Sequence, residues 1–451
     1  MINIEQPATK SSVHYIKSTW GGFMQKVRAF KYLLLLIYMI ILYIFESIIV
    51  DWTPGLFFQA TILNFSLFLG IYAFRGFDNS NLQSLNSNLV SYSTGSFLGA
   101  LFSLMIVAFF KTKLPREVFI TSLVLSGAIF PLIFTYTMRK VLSIIPPKRY
   151  LVIGKESEIS QIMQEVEKAS IGKIKAYGYM NPSSAALEQA LSLNLFDSVL
   201  VADQKLSRAV ESVLENAHQK GKSVEFLPLI VEQTLKRIPI ELIDKFKEYY
   251  EIQFSSVSET PSKRVLDLFI SIIAMLILSP VYLIIYLSIL LDDGLPVVFK
   301  QIRIGLNGSK FIMHKFRSMK KDAESTGAKY ATQQENNVTK IGKLIRPIRL
   351  DEIPQFYDIL IGKMSFVGPR PEQPKFAKEL SEELPYYNYR HKLKPGLTGW
   401  AQTNYKYAAT IEEQAKKLSY DLYYVKNRSL LLDLQIILKT FETVVFRKGA
   451  K

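Results

Sequence analysis

Residues 344 to 360 read LIRPIRLDEIPQFYDIL, a stretch that sets two carboxylates, Asp351 and Glu352, side by side among Arg346, Arg349 and a run of apolar residues. Adjacent acids have an ordinary place at a solvated helix start, where Asp and Glu suit the first turn and Pro354 stands just inside it. The surrounding cations add another possibility. Arg303, Arg346 and Arg370 sit beside or close to Gly or Pro, and Arg317 lies in the basic run HKFRSMKK; guanidiniums and exposed backbone amides together can cradle phosphate oxygens. Arginines in turns are commonly just solvated, so this phosphate chemistry needs elements that bring the cations and acids to one place.

Composition limits what those elements can be. The chain has 451 residues, enough for two or three domains, and its 49% apolar content is high for a wholly soluble protein. It has no cysteine, which excludes disulfides, thiolate catalysis and Cys-ligated zinc or iron–sulfur sites. The four histidines, at 14, 218, 314 and 391, form no metal-binding spacing. The net charge is +16, and from Asp293 onward 28 Lys and Arg face 16 Asp and Glu. Such a surface attracts nucleic acid, anionic lipid or phosphorylated substrates. Nucleic acid is the weakest of these partners, because no recognised binding module is present and the aromatics lie in apolar runs.

Four apolar stretches, roughly 32–50, 56–74, 96–110 and 119–138, approach the ~20 residues that cross ~30 Å of hydrocarbon. The third is the shortest. No signal peptide is expected, since the first run follows thirty polar or mixed residues and no small-residue cleavage site comes after it. Ten basic residues (Lys10, Lys17, Lys26, Arg28, Lys31, Arg75, Arg139, Lys140, Lys148, Arg149) flank one side of these spans, against Lys111, Lys113 and Arg116 on the other. That bias places both the N-terminus and everything after residue 140 in the cytoplasm.

Between 148 and about 245, the runs KRYLVIG, IKAYGYM, FDSVLVAD and KSVEFLP alternate with helical patterns such as QKLSRAVESVLENAHQKG, predicting a small parallel α/β domain of Rossmann type. Its first turn holds Gly154 and no further glycine, so the dinucleotide fingerprint is missing and a spacer, assembly or regulatory module is favoured over a nucleotide site. Residues 262–294 are apolar enough to span, with Ser279-Pro280 at their centre. Proline removes a backbone donor and bends a helix, and the serine hydroxyl can bond the freed carbonyl. Pro-kinked spanning helices are common, but crossing here would export the basic segment from Lys300 to Lys321. A helix that enters one leaflet, breaks at Ser279-Pro280 and returns avoids this. The run from Tyr420 to Phe446 reads equally as an interfacial helix with a basic and aromatic rim or as a plain core helix.

Lys263-Arg264, Ser279-Pro280, KFRSM, LDEIPQ, MSFVGPRP, KPGLTGWAQ and LYYVKNRSLLLDL occur in the order found in the bacterial sugar transferases, the polyprenyl-phosphate phosphoglycosyl transferases. The chain resembles that family over about residues 260 to 448, and its leading helices and α/β domain resemble the extended branch that initiates exopolysaccharide and O-antigen units. The resemblance implies a membrane protein of α + α/β class. Its parts are a cytoplasmic segment (1–30), a four-helix transmembrane bundle (31–140), a Rossmann-like domain (146–250), a re-entrant membrane helix (260–294) and a monotopic catalytic domain with interfacial helices (295–451). It also implies a location in the bacterial inner membrane, with the catalytic domain facing the cytoplasm.

The activity implied is transfer of sugar-1-phosphate from a UDP-sugar, glucose or galactose favoured, to polyprenyl phosphate, releasing UMP. In the family the Asp of the pair carries the phospho-sugar and the Glu helps hold Mg²⁺, roles that fall on Asp351 and Glu352. Arg370, between Pro369 and Pro371, would meet the nucleotide diphosphate, with Lys315, Arg317, Arg303, Arg346 and Gln355 completing the substrate-binding set. A homo-oligomer is expected. After the GW pair this chain reads QTNYKY, so an arginine customary in the family is absent, and Lys406, a compact point charge, is no equivalent of a planar fork. The competing class is a membrane-tethered regulatory or assembly protein, in which Asp351 and Glu352 are merely a helix start.

Overall fold

The computed structural model describes residues 23–78, 82, 85–108, 114–181, 183–193, 195–320, 337–405, 408 and 410–445. They fall into two units, Met1–Lys236 with Glu241–Tyr249, and Arg237–Ile240 with Tyr250–Lys451.

Among the described residues of the first unit, four helices are long and apolar enough to cross a membrane: α1 (Phe23–Ile49), α2 (Pro54–Ala73), α3 (Leu85–Val107) and α4 (Arg116–Ile144), the last containing a π-helical stretch at Leu125–Ile129. Helix α3 starts at Leu85, well before the apolar run that begins at Ser96, and its Asn88, Gly95, Ser96 and Gly99 are buried. A Cβ at Gly95 would lie 2.7 Å from Gly70, and one at Gly99 would lie 2.3 Å from the Ser66 carbonyl, so only glycine allows these backbones to approach. Buried Glu46 accepts hydrogen bonds from Asn64 Nδ2 (3.0 Å) and Ser122 Oγ (2.7 Å), joining α1, α2 and α4.

The α/β part of this unit is a parallel sheet of β1 (Lys148–Ile153), β2 (Ile174–Met180), β3 (Ser198–Val201) and β4 (Ser223–Phe226), ordered β2-β1-β3-β4. All four predicted strands are present. The long predicted helix after β3 is two, Gln204–Arg208 and Glu211–Gln219. Ligands of open α/β sheets sit beyond the strand ends where the order reverses. Here Asp203 accepts from Lys205 N (2.9 Å) and Leu206 N (3.2 Å) and lies 3.4 Å from Lys245 Nζ, so the protein's own groups hold that acid.

The longest helix of the second unit among the described residues is the apolar α5 (Pro261–Asp293). At ~1.5 Å per residue it would reach about 50 Å if straight. It is helical through Ser279 and Pro280, so the predicted break is a proline-bearing turn inside one continuous helix. Pro280 frees the Leu276 carbonyl one turn back, and Ser279 Oγ donates to that same oxygen at 2.8 Å. Leu276, Ile277, Leu283, Ile284 and Leu291 are exposed, while Ile285 and Ile289 enter the core with Phe311, Met313, Phe316, Ile353 and Ile359. Each such side chain contributes roughly 1.5–3 kcal/mol on burial.

Both ends of α5 are tied to this one unit. Near its start, Lys263 Nζ donates to Asp433 (3.0 Å) and Arg264 caps the Ile359 and Leu360 carbonyls (both 2.6 Å). At its end, Arg317 Nη2 donates to the Asp293 and Gly294 carbonyls (both 2.7 Å). Its further elements include an antiparallel hairpin of β5 (Val298–Ile304) and β6 (Lys310–Phe316), helices α6 (Lys340–Ile345) and α7 (Gln355–Leu360), a parallel pair β7 (Ser365–Val367) and β8 (Gly396–Thr398), and the helices α8 (Ile411–Asn427) and α9 (Leu430–Val445). Helix α9 buries Leu432, Asp433 and Ile436 and exposes Leu430 and Leu431, so one of its faces is core.

Candidate active site

Helix α6 is followed by a sharp reversal that places the acid pair. Arg349 takes a left-handed φ of 55°, after which Leu350–Glu352 form a single 3₁₀ turn and Pro354 caps α7. For a residue with a side chain that conformation costs about 1–2 kcal/mol, and its product is a carboxylate turned inward. Glu352 is 9% exposed, which sets aside the solvated helix start.

Three cations from three segments meet Glu352. Lys315 Nζ, on β6, is 3.2 Å from Oε1; Arg349 Nη1 is 3.6 Å from Oε2; and Arg370 Nη1, after β7, is 3.9 Å from Oε1. Burial alone would raise the pKa of Glu352, but Lys315, Arg370 and Arg349 hold it down to about 2. Its neighbour goes the other way. Burial, reinforced by the Glu352 charge, pushes Asp351 up to about 6 against the pull of Lys315 and Arg346. Lys315 is itself lowered, by burial first and then by the Arg370 and Arg303 charges. Adjacent carboxylates driven apart in this way are suited to different roles.

Lys315, Arg303, Glu352, Gln355, Arg370 and Pro371 line one hollow, with Met313, Gly396 and Leu397. Gln355 is 3% exposed and its Nε2 is buried without a hydrogen-bond partner, as is Nη1 of Arg346. Two donors thus stand without acceptors. Arg303 uses Nη1 on the Pro371 carbonyl (2.9 Å) and Nε on Gln301 (3.0 Å). The Pro369 carbonyl accepts from Gly396 N at 2.9 Å.

Arg317 is placed elsewhere. It is 5% exposed and its guanidinium closes the end of α5, with Asp293 Oδ2 at 2.9 Å. Ser279 and Pro280 lie in the middle of α5. Lys406 lies outside the described residues. Sequence reasoning missed Asp358, which is fully buried, accepts from His314 N (2.8 Å) and lies 2.7 Å from His314 Nδ1, locking α7 to the strand that carries Lys315. Burial pushes the Asp358 carboxyl up, opposed by the bonds from His314.

Among the described residues no group of three or more His, Cys, Asp or Glu could hold a metal. The oxygens on offer are those of Asp351 and Glu352. That donor set fits Mg²⁺, which takes one or two carboxylates and completes its shell with phosphate and water.

Comparison with known proteins locates this unit within a family. The pattern described as Bacterial sugar transferase matches residues 258–447. The chain is 40% identical over 211 residues to the UDP-N-acetylgalactosamine-undecaprenyl-phosphate N-acetylgalactosaminephosphotransferase of Aeromonas hydrophila, covering 46% of this chain and 50% of that protein. It is 38% identical over 190 residues to the UDP-glucose:undecaprenyl-phosphate glucose-1-phosphate transferase of Klebsiella pneumoniae, covering 42% of this chain and 41% of that one. It is 40% identical to the exopolysaccharide production protein PSS of Rhizobium leguminosarum bv. phaseoli, over 41% of this chain and 93% of the shorter relative. The chain thus spans half or less of the length of the first two.

Proposed function

The chain belongs to the bacterial sugar transferase family, and on that premise we propose that it moves sugar-1-phosphate from a UDP-sugar to polyprenyl (undecaprenyl) phosphate, the first membrane step of exopolysaccharide or O-antigen synthesis. An oxygen of the Asp351 carboxylate attacks the β-phosphorus of the donor. A P–O bond to Asp351 forms, the bond to the bridging oxygen breaks, and UMP leaves with the electron pair. A phosphate oxygen of the lipid then attacks the same phosphorus, displacing Asp351 and giving polyprenyl-diphosphate-sugar. Arg370, Lys315 and Arg346 offset the charge of the diphosphate, and Gln355 offers its unpartnered N–H to an oxygen of the donor. Mg²⁺, with Glu352 among its ligands, would supply further charge neutralisation there. Glucose and galactose are the favoured donor sugars, and the relatives named for glucose and for N-acetylgalactosamine widen the set to test.

The asymmetry at 351 and 352 carries this reading. Lys315, Arg349 and Arg370 gather at Glu352 and hold its carboxyl down, so it stays charged beside polyanions, while burial and the Glu352 charge push Asp351 up and make it more basic than an ordinary aspartate; Gln355 Nε2 and Arg346 Nη1 stand buried without a partner beside them. Purified protein given sugar-labelled UDP-glucose, UDP-galactose or UDP-N-acetylgalactosamine with Mg²⁺ is expected to acquire covalent label and release UMP without lipid. Asp351→Asn should lower labelling by on the order of a thousandfold or more while the protein stays folded. Unchanged labelling would reject Asp351 as the carrier and return the chain to the regulatory or assembly class.

Helix α5 supports a membrane placement in one leaflet. A helix that crossed the bilayer would leave its two ends on opposite faces, yet Arg264 and Asp293 are both bonded to the same unit. This supports a helix that enters and leaves one leaflet, keeping the site on the cytoplasmic face where UDP-sugars are made. The chain lacks cysteine, so Leu295→Cys gives a single reporter. An impermeant thiol reagent should label it only after cells are opened; ready labelling of intact cells would mean that α5 crosses.

A further inference from the structure

Behind Arg370 the chain is held at every step. Four successive carbonyls accept hydrogen bonds from four places: Pro369 from Gly396 N (2.9 Å), Arg370 from Arg390 Nη2 (3.0 Å), Pro371 from Arg303 Nη1 (2.9 Å) and Glu372 from Ile304 N (3.0 Å). Pro369 and Pro371 donate nothing and fix their own φ, so little freedom is left to the residue between them. Of the four donors, Arg390 is the one side chain outside the hollow.

Arg390 is 3% exposed and all three of its guanidinium nitrogens donate hydrogen bonds. Nε and Nη2 donate to Asp421 Oδ2 (3.2 and 2.9 Å), and Nη1 donates to the Tyr387 hydroxyl (2.8 Å). Glu372 Oε1 lies 4.0 Å from Nη1 and accepts from Lys417 Nζ at 3.0 Å. Two cations and two anions balance here, with no anion-sized deficit. What leaves this balanced cluster is one bond, from Nη2 to the Arg370 carbonyl. A lysine could keep the charge, but only the planar fork reaches Asp421, Tyr387 and that carbonyl together.

We infer that Arg390, fixed by Asp421, is a positioning residue: it holds the backbone under Arg370 so that the Arg370 guanidinium stays aimed at the hollow shared with Glu352. The inference rests on the reading that Arg370 meets the nucleotide diphosphate. Preorganising a cation before the ligand arrives lowers the ordering cost of binding. The energetic signature is coupling between Arg390 and Arg370, which a cluster that only stabilised the fold would lack.

The test uses the full chain in detergent or nanodiscs and UDP with Mg²⁺ as the probe, read by titration calorimetry, with circular dichroism and a melting curve for each variant. Arg370→Ala should weaken UDP about thirtyfold or more, and Arg390→Lys about tenfold, since each tenfold corresponds to ~1.4 kcal/mol. The double variant should bind no worse than Arg370→Ala alone. Should Arg390→Lys not fold, Asp421→Glu keeps both charges and displaces the guanidinium by a methylene, with several-fold weaker UDP expected and the same coupling. Arg390→Lys (or Asp421→Glu in its place) within twofold of the unsubstituted protein overturns the inference, as do losses that simply multiply in the double variant. Wild-type affinity in Arg370→Ala instead removes the underlying role of Arg370, and the inference with it.

Discussion

Glu352 and Glu372 share one design and serve opposite ends. Each is met by a lysine (Lys315, Lys417), by a second guanidinium (Arg349, Arg390) and by the charge of Arg370, which acts on both. Each is driven down to about 2 against its own burial. Around Glu372 the account closes: Arg390 and Lys417 are matched by Glu372 and Asp421, and no buried side-chain atom of those four lacks a hydrogen-bond partner. Around Glu352 it does not close. Lys315, Arg346, Arg349, Arg370 and Arg303 outnumber Asp351 and Glu352, Arg346 Nη1 and Gln355 Nε2 have no acceptor, and Asp351 is displaced upward. A balanced buried cluster suits a scaffold; one with spare cations and donors suits the anionic substrate proposed above. Arg370 joins them.

The largest effect should come from unbalancing the closed cluster. Asp421→Asn leaves Arg390 charged and buried without its main partner, and removing one member of such a pair costs about 3–5 kcal/mol in denaturant unfolding. The matching change in the open cluster, Glu352→Gln, should cost less, about 1–3 kcal/mol, because Arg349 (43% exposed) and Arg370 (35% exposed) can turn to water and only Lys315 stays held beside the neutral amide. Its effect should instead fall on chemistry. UMP release should drop by on the order of a hundredfold at low Mg²⁺ and recover in part as Mg²⁺ is raised. Equal stability losses in the two variants, or a turnover unaffected by Glu352→Gln, would erase the distinction between scaffold and site.

The same contrast explains what could be read from the sequence. Lys315, Glu352, Gln355, Arg370 and Pro371 sit in short motifs dense in glycine, proline and charge, and the structure gathers them into one hollow. The strands of the α/β domain were legible for a similarly local reason, their β-branched runs between turn residues. Arg317 entered the set by resemblance alone; β6 ends at Phe316, and the guanidinium of the next residue bonds the end of α5. The start of α3 was hidden since hydropathy counts Asn88, Ser96 and the glycines as polar or neutral, although they are apposed to other helices. Asp421 and Arg390 gave no signal at all. They are remote in sequence, and Asp421 lies in KKLSYDLYYVK, indistinguishable from a solvated charged face. Long-range charge balance is a property of the fold, whereas motif density is a property of the chain.

The smallest expected effect is also the most direct measure of how Glu372 is held. Its folded pKa, about 2, lies below the ordinary glutamate value, since Lys417 first, then Arg390 and Arg370, outweigh its burial. A lowered acid contributes stability that is fully present above its unfolded pKa of ~4.3 and is lost as pH falls through the folded value. Lys417→Met removes the largest of the three attractions and the 3.0 Å bond, while Arg390 and Arg370 remain. The folded pKa of Glu372 must then rise toward the unfolded one, so the acid limb of the unfolding curve should move to higher pH, by about one unit or less, with stability above pH 6 much less affected than in Asp421→Asn. Intrinsic fluorescence followed between pH 2 and 6 reads that limb. A limb that stays in place, or moves to lower pH, would mean that Glu372 is held by Arg390 and Arg370 alone. Lys417 would then be a surface charge beside the cluster, and the closed cluster would be left with one more anion than cation, no longer the balanced counterpart of the site around Glu352.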